Sequence, residues 1–402
     1  MIARSKLSAA LAMAAIVAAC SSSSSRTTFA QEDPNAQKPS DQPPALGNGT
    51  RAQTNEVTLT GTVFAPNGSL PISNALVYIT PDEPAAIPEG TYCDECVALP
   101  EDSFSVSGAD GKFEWKTAVP TGDYFFVVQK GQFRRVRKIT IDKSGDMAIK
   151  AEMTTLPGRR DVAKGDDVPK MAVLKGNSYY DKIDESLTKL GIEDVDVLAD
   201  RKLLENATEL AKYHIVFVPC GEKDSPQVTN AKVKTNIKDF VSKGGKFYVT
   251  DWSYEYVRQP FPGYVQWENE TSTIGSATGG EWDAPAQAAD QGLGDWLTAT
   301  GDASFDVEGN WTDIKAVRTV QGPAPDGSPT SITPKVWVTA KKTGAAAPKP
   351  TTVSFEYACG RVLFSTYHTE ATFGGSLHAQ EKALLYVLLE VGVCIGEQNK
   401  PK

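Results

Sequence analysis

Residues 56–155 alternate between apolar and polar positions with a period of two, which is typical of β-strands that bury one face. A continuous apolar run at 124–128 indicates one strand that is buried on both faces. Turn signals separate the runs, at Pro66-Asn67-Gly68, Asp110-Gly111 and Pro120-Thr121-Gly122. Short strands at regular intervals predict an all-β sandwich for this segment.

The period changes beyond about residue 165. Apolar residues at helical spacing, such as Val233, Ile237 and Phe240, alternate along the chain with short apolar runs such as 215–218. This alternation predicts an α/β domain over 165–396, built in three layers around a parallel sheet that is covered on both faces. Residues 258–350 depart from the pattern and are interpreted as an insertion.

The N-terminal residues 1–20 have the pattern of a secretory signal. Arg4 and Lys6 precede an apolar run at 7–19, which is shorter than the about 20 apolar residues that span a bilayer. Residues 21–55 are rich in Ser, Asn, Gln, Pro and Gly and hold almost no aliphatic side chains. Such a segment buries too little apolar surface to fold, so we expect a disordered tether.

The residues at the expected cleavage site refine this assignment. Val17-Ala18-Ala19-Cys20 resembles the lipobox of bacterial lipoproteins, and Ser21 at the sorting position resembles outer-membrane members. The resemblance implies that Cys20 is acylated and anchors the chain in the membrane, because several acyl chains bind a bilayer stably. The expected location is therefore the cell envelope, as an outer-membrane lipoprotein; a plain secreted protein is the alternative.

The first folded segment resembles the carboxypeptidase regulatory-like domain. The matching stretches are Gly61-Thr62-Val63, Ile72 to Val77, Asp110-Gly111-Lys112-Phe113 and Val119 to Tyr124. The family has an Ig-like, transthyretin-like sandwich that is also similar to carbohydrate-binding folds, and its members are usually non-catalytic. No binding residue is implied by the resemblance.

The second segment resembles the class I glutamine amidotransferase-like fold, which includes the ThuA-like group. The matching stretches are Tyr213 to Gly221, Ile237 to Val249 and Gly360 to Glu370. Enzymes of this family carry a Cys or Ser nucleophile on a sharp turn after a strand, with small neighbours. Here the strand ending at Thr250 is followed by Asp251, and Ser253 is the nearest hydroxyl.

Other elements of the family's site are retained. His368-Thr369-Glu370 matches the family's His-x-Glu, in which the histidine acts as base and the glutamate orients it. Cys220 occupies a position that resembles the oxyanion loop. The resemblance thus implies a base and its orienting group without a convincing nucleophile.

The candidate residues are expected to meet, because sites in open parallel sheets form at the carboxyl ends of the strands. The residues that follow predicted strand ends are Cys220, Asp251, Ser253, His368 and Glu370. One interpretation is a catalytic or metal site. The other, which we favour, is a cleft kept for binding or packing, with no cofactor and no metal ion.

Six cysteines occur in the chain, and some should pair in an oxidising compartment. Cys93 and Cys96 allow a redox motif, half of a zinc site or a structural disulfide, and we expect the disulfide. Cys359 precedes a strand and Cys394 follows the returning helix, so we expect a second disulfide between them, contributing about 3–4 kcal/mol. With Cys20 acylated, five cysteines remain, and this odd count leaves one thiol free or reactive.

Tryptophans gather in and beside the insertion. Trp252, Trp267 and Trp282 lie among acidic residues and glycines, which suits a sugar-binding platform; the alternative is that they form the core of the insertion. The formal net charge of −9 argues against nucleic acid as a partner, since no basic stripe could neutralise phosphates.

The expected function is that of a lipid-anchored envelope protein, non-catalytic, which binds a glycan or a protein. The alternative is a hydrolase that uses the His368/Glu370 pair with Ser253 or Cys220.

Overall fold

The computed structural model describes residues 54–93, 99–100, 102–177, 181–369 and 377–390. The signal peptide, the tether up to residue 53 and the predictions made for Cys20, Cys96, Glu370 and Cys394 lie outside these residues. Among the described helices, none combines the length and the apolar character that crossing a membrane requires.

The first region forms two β-sheets from its eight strands and holds one short helix. The elements are β1 (Thr54–Thr62), β2 (Leu76–Thr80), β3 (Phe104–Val106), β4 (Lys112–Pro120), β5 (Gly122–Lys130), β6 (Phe133–Ile141), β7 (Gly145–Ala148), α1 (Ala151–Thr154) and β8 (Asp166–Asp167). One sheet has the order β3-β2-β5-β6-β8 and the other the order β4-β1-β7. The predicted period of two is confirmed on β4, where Phe113 and Trp115 are buried between exposed neighbours.

The second region alternates strands and helices before a run of strands and a last helix. Its strands are β9 (Met171–Leu174), β10 (Val195–Leu198), β11 (Ile215–Val218), β12 (Lys246–Thr250), β13 (Val265–Trp267), β14 (Trp282–Ala288), β15 (Phe305–Asn310), β16 (Ile314–Val317), β17 (Val320–Pro323), β18 (Pro329–Ile332), β19 (Lys335–Ala340), β20 (Lys349–Tyr357) and β21 (Gly360–Ser365). Its helices are α2 (Ile183–Lys189), α3 (Ala207–Leu210), α4 (Ala231–Ser242), α5 (Glu255–Arg258), α6 (Gln291–Ala299) and α7 (Ala379–Glu390). Short 3-10 helices lie at Val162–Lys164, Lys202–Glu205, Pro226–Thr229 and Asp251–Tyr254.

Nine of these strands form one large sheet with the order β10-β9-β11-β12-β21-β20-β19-β14-β15. The five neighbouring strands β10, β9, β11, β12 and β21 are parallel to one another, as predicted. The prediction of a wholly parallel sheet is wrong for the other half, where every pairing is antiparallel. The reason is local: only a two-residue turn joins β20 to β21, and a connection that short can form only an antiparallel pair.

The insertion contributes directly to this sheet. Its strands β14, β15 and β19 extend the sheet beyond β20. The strand pairs β13–β16 and β17–β18 form two small antiparallel sheets. Residues that showed no α/β alternation therefore continue the central sheet as antiparallel strands.

Both faces of the parallel strands are covered. Ala172 and Leu174 of β9 belong to the hydrophobic cluster that includes α4. Met171 and Val173 belong to the opposite cluster, which includes residues of α2 and α7 and continues into the sheets of the first region. The two predicted domains therefore share one continuous apolar cluster.

The observed disulfide differs from both predicted pairs. Cys93 is bonded to Cys359, 266 residues away, with a Cα–Cα distance of 5.0 Å. The loop that carries Cys93 reaches the large sheet beside Gly244, where an added Cβ would collide with the carbonyl oxygen of Tyr92. The predicted pairs came from the short Cys93–Cys96 spacing and from the expected positions of a strand start and a helix end, whereas the packing of the Cys93 loop sets the actual partner.

Candidate functional site

Three side chains converge where parallel strands end. Cys220 follows β11, Asp251 follows β12 directly, and His368 follows β21. One ligand-type atom from each side chain lies within 4.8 Å of the other two, and all three residues are buried. The structure thus brings together three of the residues that the sequence placed at strand ends.

One carboxylate oxygen joins the three residues. The Nε2 atom of His368 lies 3.0 Å from Oδ2 of Asp251, and the thiol of Cys220 donates to the same oxygen at 3.5 Å. The other oxygen, Oδ1, accepts a hydrogen bond of 3.0 Å from the backbone N–H of Trp311. We refer to Cys220, Asp251 and His368 as the polar cluster.

A second carboxylate, that of Asp181, holds the surrounding loops together. It accepts hydrogen bonds from the backbone N–H of Cys220 at 3.2 Å and of Thr369 at 3.0 Å. The hydroxyls of Thr369 and Thr250 also donate to it. Sequence analysis missed Asp181, although its place between β9 and α2 is itself a signal for the same edge of the sheet.

Asp251 stands in the turn after β12, where the sequence resemblance directed the search for a nucleophile. It is the first residue after β12 and has φ +39, in the left-handed region that few non-glycine residues adopt. Asp251 begins a 3-10 helix, and α5 follows it at once. The sharp turn is therefore present, and it carries a fully buried carboxylate rather than a thiol or hydroxyl.

Ser253 makes its hydrogen bonds with residues outside the polar cluster. It is fully buried, and its hydroxyl donates to the carbonyl oxygen of Pro219 at 2.6 Å. The Nη2 atom of Arg201 donates to the Ser253 hydroxyl oxygen at 3.1 Å. The hydroxyl is thus engaged by Pro219 and Arg201 rather than by His368.

Arg201 is a further buried group that sequence analysis missed. Its guanidinium lies 5.0 Å from the centre of the Tyr256 ring, and its Nε and Nη1 atoms have no hydrogen-bond partner among the described residues. A Cβ at Gly176 or Gly221 would collide with this guanidinium. The two glycines, which follow β9 and β11, therefore make room for a buried cation next to the cluster.

The protonation of the cluster does not favour catalysis. Burial raises the pKa of the Cys220 thiol to about 11 and also raises the pKa of Asp251. Burial alone would lower the pKa of His368, but its hydrogen bonds to Asp251 and Cys220 outweigh this and raise it to about 11. At neutral pH the imidazole thus keeps its proton and the thiol stays neutral, whereas a general base must accept a proton and a nucleophile must be a thiolate.

The predicted tryptophan platform is only partly present. Trp267 is buried against Tyr254 and Phe364, with ring-centre distances of 5.0 Å and 4.7 Å, so its predicted role in ligand binding is wrong. Trp252 and Trp282 are half-buried. The half-buried Trp311, which was not among the predicted ligand residues, packs edge-on against Trp252 at 5.1 Å.

Comparisons with known proteins find distant structural likenesses. No family model matches the chain, and no curated protein matches it. A ThuA-like protein from Bacteroides uniformis is 11% identical with a TM-score of 0.35, over 55% of this chain and 91% of that one. A glutamine amidotransferase is 13% identical with a TM-score of 0.32, over 55% of this chain and 96% of that one.

A third likeness is a β-galactosidase from Halorubrum lacusprofundi, 12% identical with a TM-score of 0.31, over 55% of this chain and 30% of that one. Likenesses this distant do not tell which activity a protein has. The chemistry of the site is therefore interpreted from its own geometry.

Proposed function

We propose that the chain is a lipid-anchored outer-membrane protein that binds a carbohydrate or a protein of the cell envelope without catalysing a reaction. In this proposal a transthyretin-like sandwich precedes a three-layer, amidotransferase-like domain whose reactive turn has lost its nucleophile. The observation that carries it is the buried carboxylate of Asp251 at that turn, with both oxygens engaged.

The hydrolase alternative rests on the contact among Cys220, Asp251 and His368. Acyl transfer needs an exposed, activated nucleophile beside a base that can accept its proton. Here the thiol is buried and its pKa is raised, while Ser253 bonds to a backbone carbonyl. The geometry therefore favours binding over catalysis.

Trp252, Trp282 and Trp311, the aromatic patch, support a ligand surface at the same edge. The backbone of Trp311 contacts Asp251, and Trp282 pairs with Asn310, the residue before Trp311. Nearby, the Lys342 ammonium lies 3.2 Å from the Asp313 carboxylate and 5.2 Å from the centre of the Trp282 ring. Half-buried aromatic faces beside charged groups suit the apolar faces and hydroxyls of a sugar.

Binding is tested on the full-length chain in detergent with an array of bacterial envelope glycans. Trp282→Ala and Trp311→Ala should weaken binding about tenfold each, which corresponds to about 1.4 kcal/mol. Phe305→Ala is the matched control, because Phe305 is half-buried at the far end of the same β14–β15 pair and should leave binding unchanged. Equal losses in all three variants would show that the patch is not the binding surface.

Catalysis is tested with panels of amide, ester and glycoside substrates. Wild type, His368→Ala and Cys220→Ser should all give the rate of the uncatalysed reaction. A wild-type rate that falls in both variants would instead establish the hydrolase.

For the anchor, Cys20→Ala should move the protein from the membrane fraction to the soluble fraction.

A further inference from the structure

We propose that Cys220, Asp251 and His368 bind a single zinc ion or a similar thiophilic divalent transition metal. This inference is independent of the proposed function, since a metal ion can serve either a structural or a catalytic role. The sequence led us to expect no metal ion, so the proposed site departs from that expectation.

The spacing of the three donor atoms is that of ligands around one ion. Bond lengths of about 2.3 Å to sulfur and about 2.0–2.2 Å to nitrogen or oxygen place tetrahedral ligands roughly 3.4–3.6 Å apart. The Cys220 sulfur lies 3.5 Å from Oδ2 of Asp251, and Nε2 of His368 lies 3.0 Å from the same oxygen. All three atoms fall within 4.8 Å of one another, so small side-chain shifts admit an ion between them.

The donor set selects the kind of ion. A thiolate and an imidazole favour zinc, cobalt and related ions, whereas magnesium and calcium prefer sites made only of oxygen. Three protein ligands leave a fourth tetrahedral position for water or a ligand group.

The cluster has the outer contacts of a metal site. Oδ1 of Asp251 is held by the Trp311 N–H, which leaves Oδ2 facing the sulfur and the imidazole. The Asp181 carboxylate fixes the backbone beside Cys220 and His368, and Gln380 donates to the His368 carbonyl oxygen at 3.0 Å. Such contacts orient ligands and commonly strengthen metal binding by about 10–100-fold.

The alternative is a cluster held only by its internal hydrogen bonds. The two states differ in a measurable way, because only the metal state requires Cys220 to bind an ion as a thiolate. A cobalt–thiolate bond gives a charge-transfer band in the near ultraviolet, which no other arrangement of these residues produces.

The experiment titrates Co²⁺ into the full-length, untagged chain after removal of metal with a chelator, and measures bound metal by mass spectrometry. Wild type should bind one equivalent and show the thiolate band. Cys220→Ser should lose the band, and Asp251→Asn and His368→Gln should weaken binding more than about tenfold. His378→Gln is the matched control, because His378 is exposed on the segment before α7, and it should behave as wild type.

A measurement on wild type alone covers the case in which a variant fails to fold. Zn²⁺ should protect Cys220 from alkylation in mild denaturant, with the labelled residue located by peptide mapping. Absence of bound metal and band in wild type would overturn the proposal. So would a band that survives in folded Cys220→Ser, or Zn²⁺ that leaves Cys220 labelling unchanged.

Discussion

The two ends of the parallel strands each bury a histidine, and they use it differently. At the amino end, Nδ1 of His214 accepts the backbone N–H of Lys170 at 2.8 Å, and Nε2 lies 2.9 Å from the carbonyl oxygen of Pro88. A ring that accepts at one nitrogen and donates at the other is neutral. At the carboxyl end, Nε2 of His368 meets the carboxylate of Asp251.

A cavity of about 570 Å³ lies at the amino end, lined by residues that include Arg160, Lys170 and Asp196. Its charges are largely compensated, as in the pairs Lys170–Asp196 at 3.7 Å and Arg160–Glu89 at 3.3 Å. A cavity therefore does not by itself mark a functional site. The convergence of side chains that bind ions or protons does.

The largest expected effect concerns the disulfide that fixes the amino end. Cys359→Ser should lower the free energy of unfolding by about 5 kcal/mol, because the bond joins residues 266 apart in the chain. Denaturant titration measures the change. Cys93→Ser and the double variant should lose the same amount, since all three break one bond. Peptide mapping that links Cys93 to Cys96 would contradict the pairing.

The two histidines give the direct test of the comparison. In metal-free protein, His368→Leu leaves the Asp251 carboxylate buried without its cationic partner, which should cost about 3–5 kcal/mol of unfolding free energy. His214→Leu leaves the Lys170 N–H without its acceptor, which should cost about 1–3 kcal/mol. Urea titration of both variants against wild type measures the difference.

A larger loss in His214→Leu than in His368→Leu would show that the comparison is wrong. Glu83→Ala serves as control, because Glu83 is exposed in the segment after β2 and should change the free energy by less than about 0.5 kcal/mol.

A smaller effect tests how the Cys93 loop rests on the sheet. Gly244 and Gly327 both have positive φ, +103 and +80, so an alanine at either strains the backbone by about 1–2 kcal/mol. Only at Gly244 does the added Cβ meet the backbone of Tyr92, whereas at Gly327 it meets open space. Gly244→Ala should therefore cost about 1–3 kcal/mol more. Equal melting temperatures of the Gly244→Ala and Gly327→Ala variants would show that the loop carrying Cys93 does not pack against Gly244.

The fold was predictable where its signals are local. Alternation on β4 and helical spacing on α4 appear in the sequence as they do in the structure. The antiparallel half of the large sheet was not predicted, because β14 and β15 join it through the pairing of β14 with β19, two segments that are distant in the chain. The burial of Trp267 was not predictable either, because it depends on packing against residues such as Phe364 of the large sheet.

The residues of the polar cluster were predictable from the sequence, whereas the residues that hold the surrounding loops were not. Cys220, Asp251 and His368 stand after strands, and parallel strands bring their ends to one edge. The roles of Asp181 and Arg201 arise from contacts between loops that are distant in the chain, such as that of Asp181 with Thr369.

The sequence alone determined most strands and helices outside the insertion and which residues follow the ends of the parallel strands, because periodicity and turn residues act over a few positions. Only the tertiary structure decided that Cys93 pairs with Cys359, that Asp251 lies buried at the turn, and that one carboxylate oxygen faces both a thiol and an imidazole. The physical reason is that these contacts depend on strand order and loop packing across the whole chain, and side-chain spacing along the sequence carries no record of either.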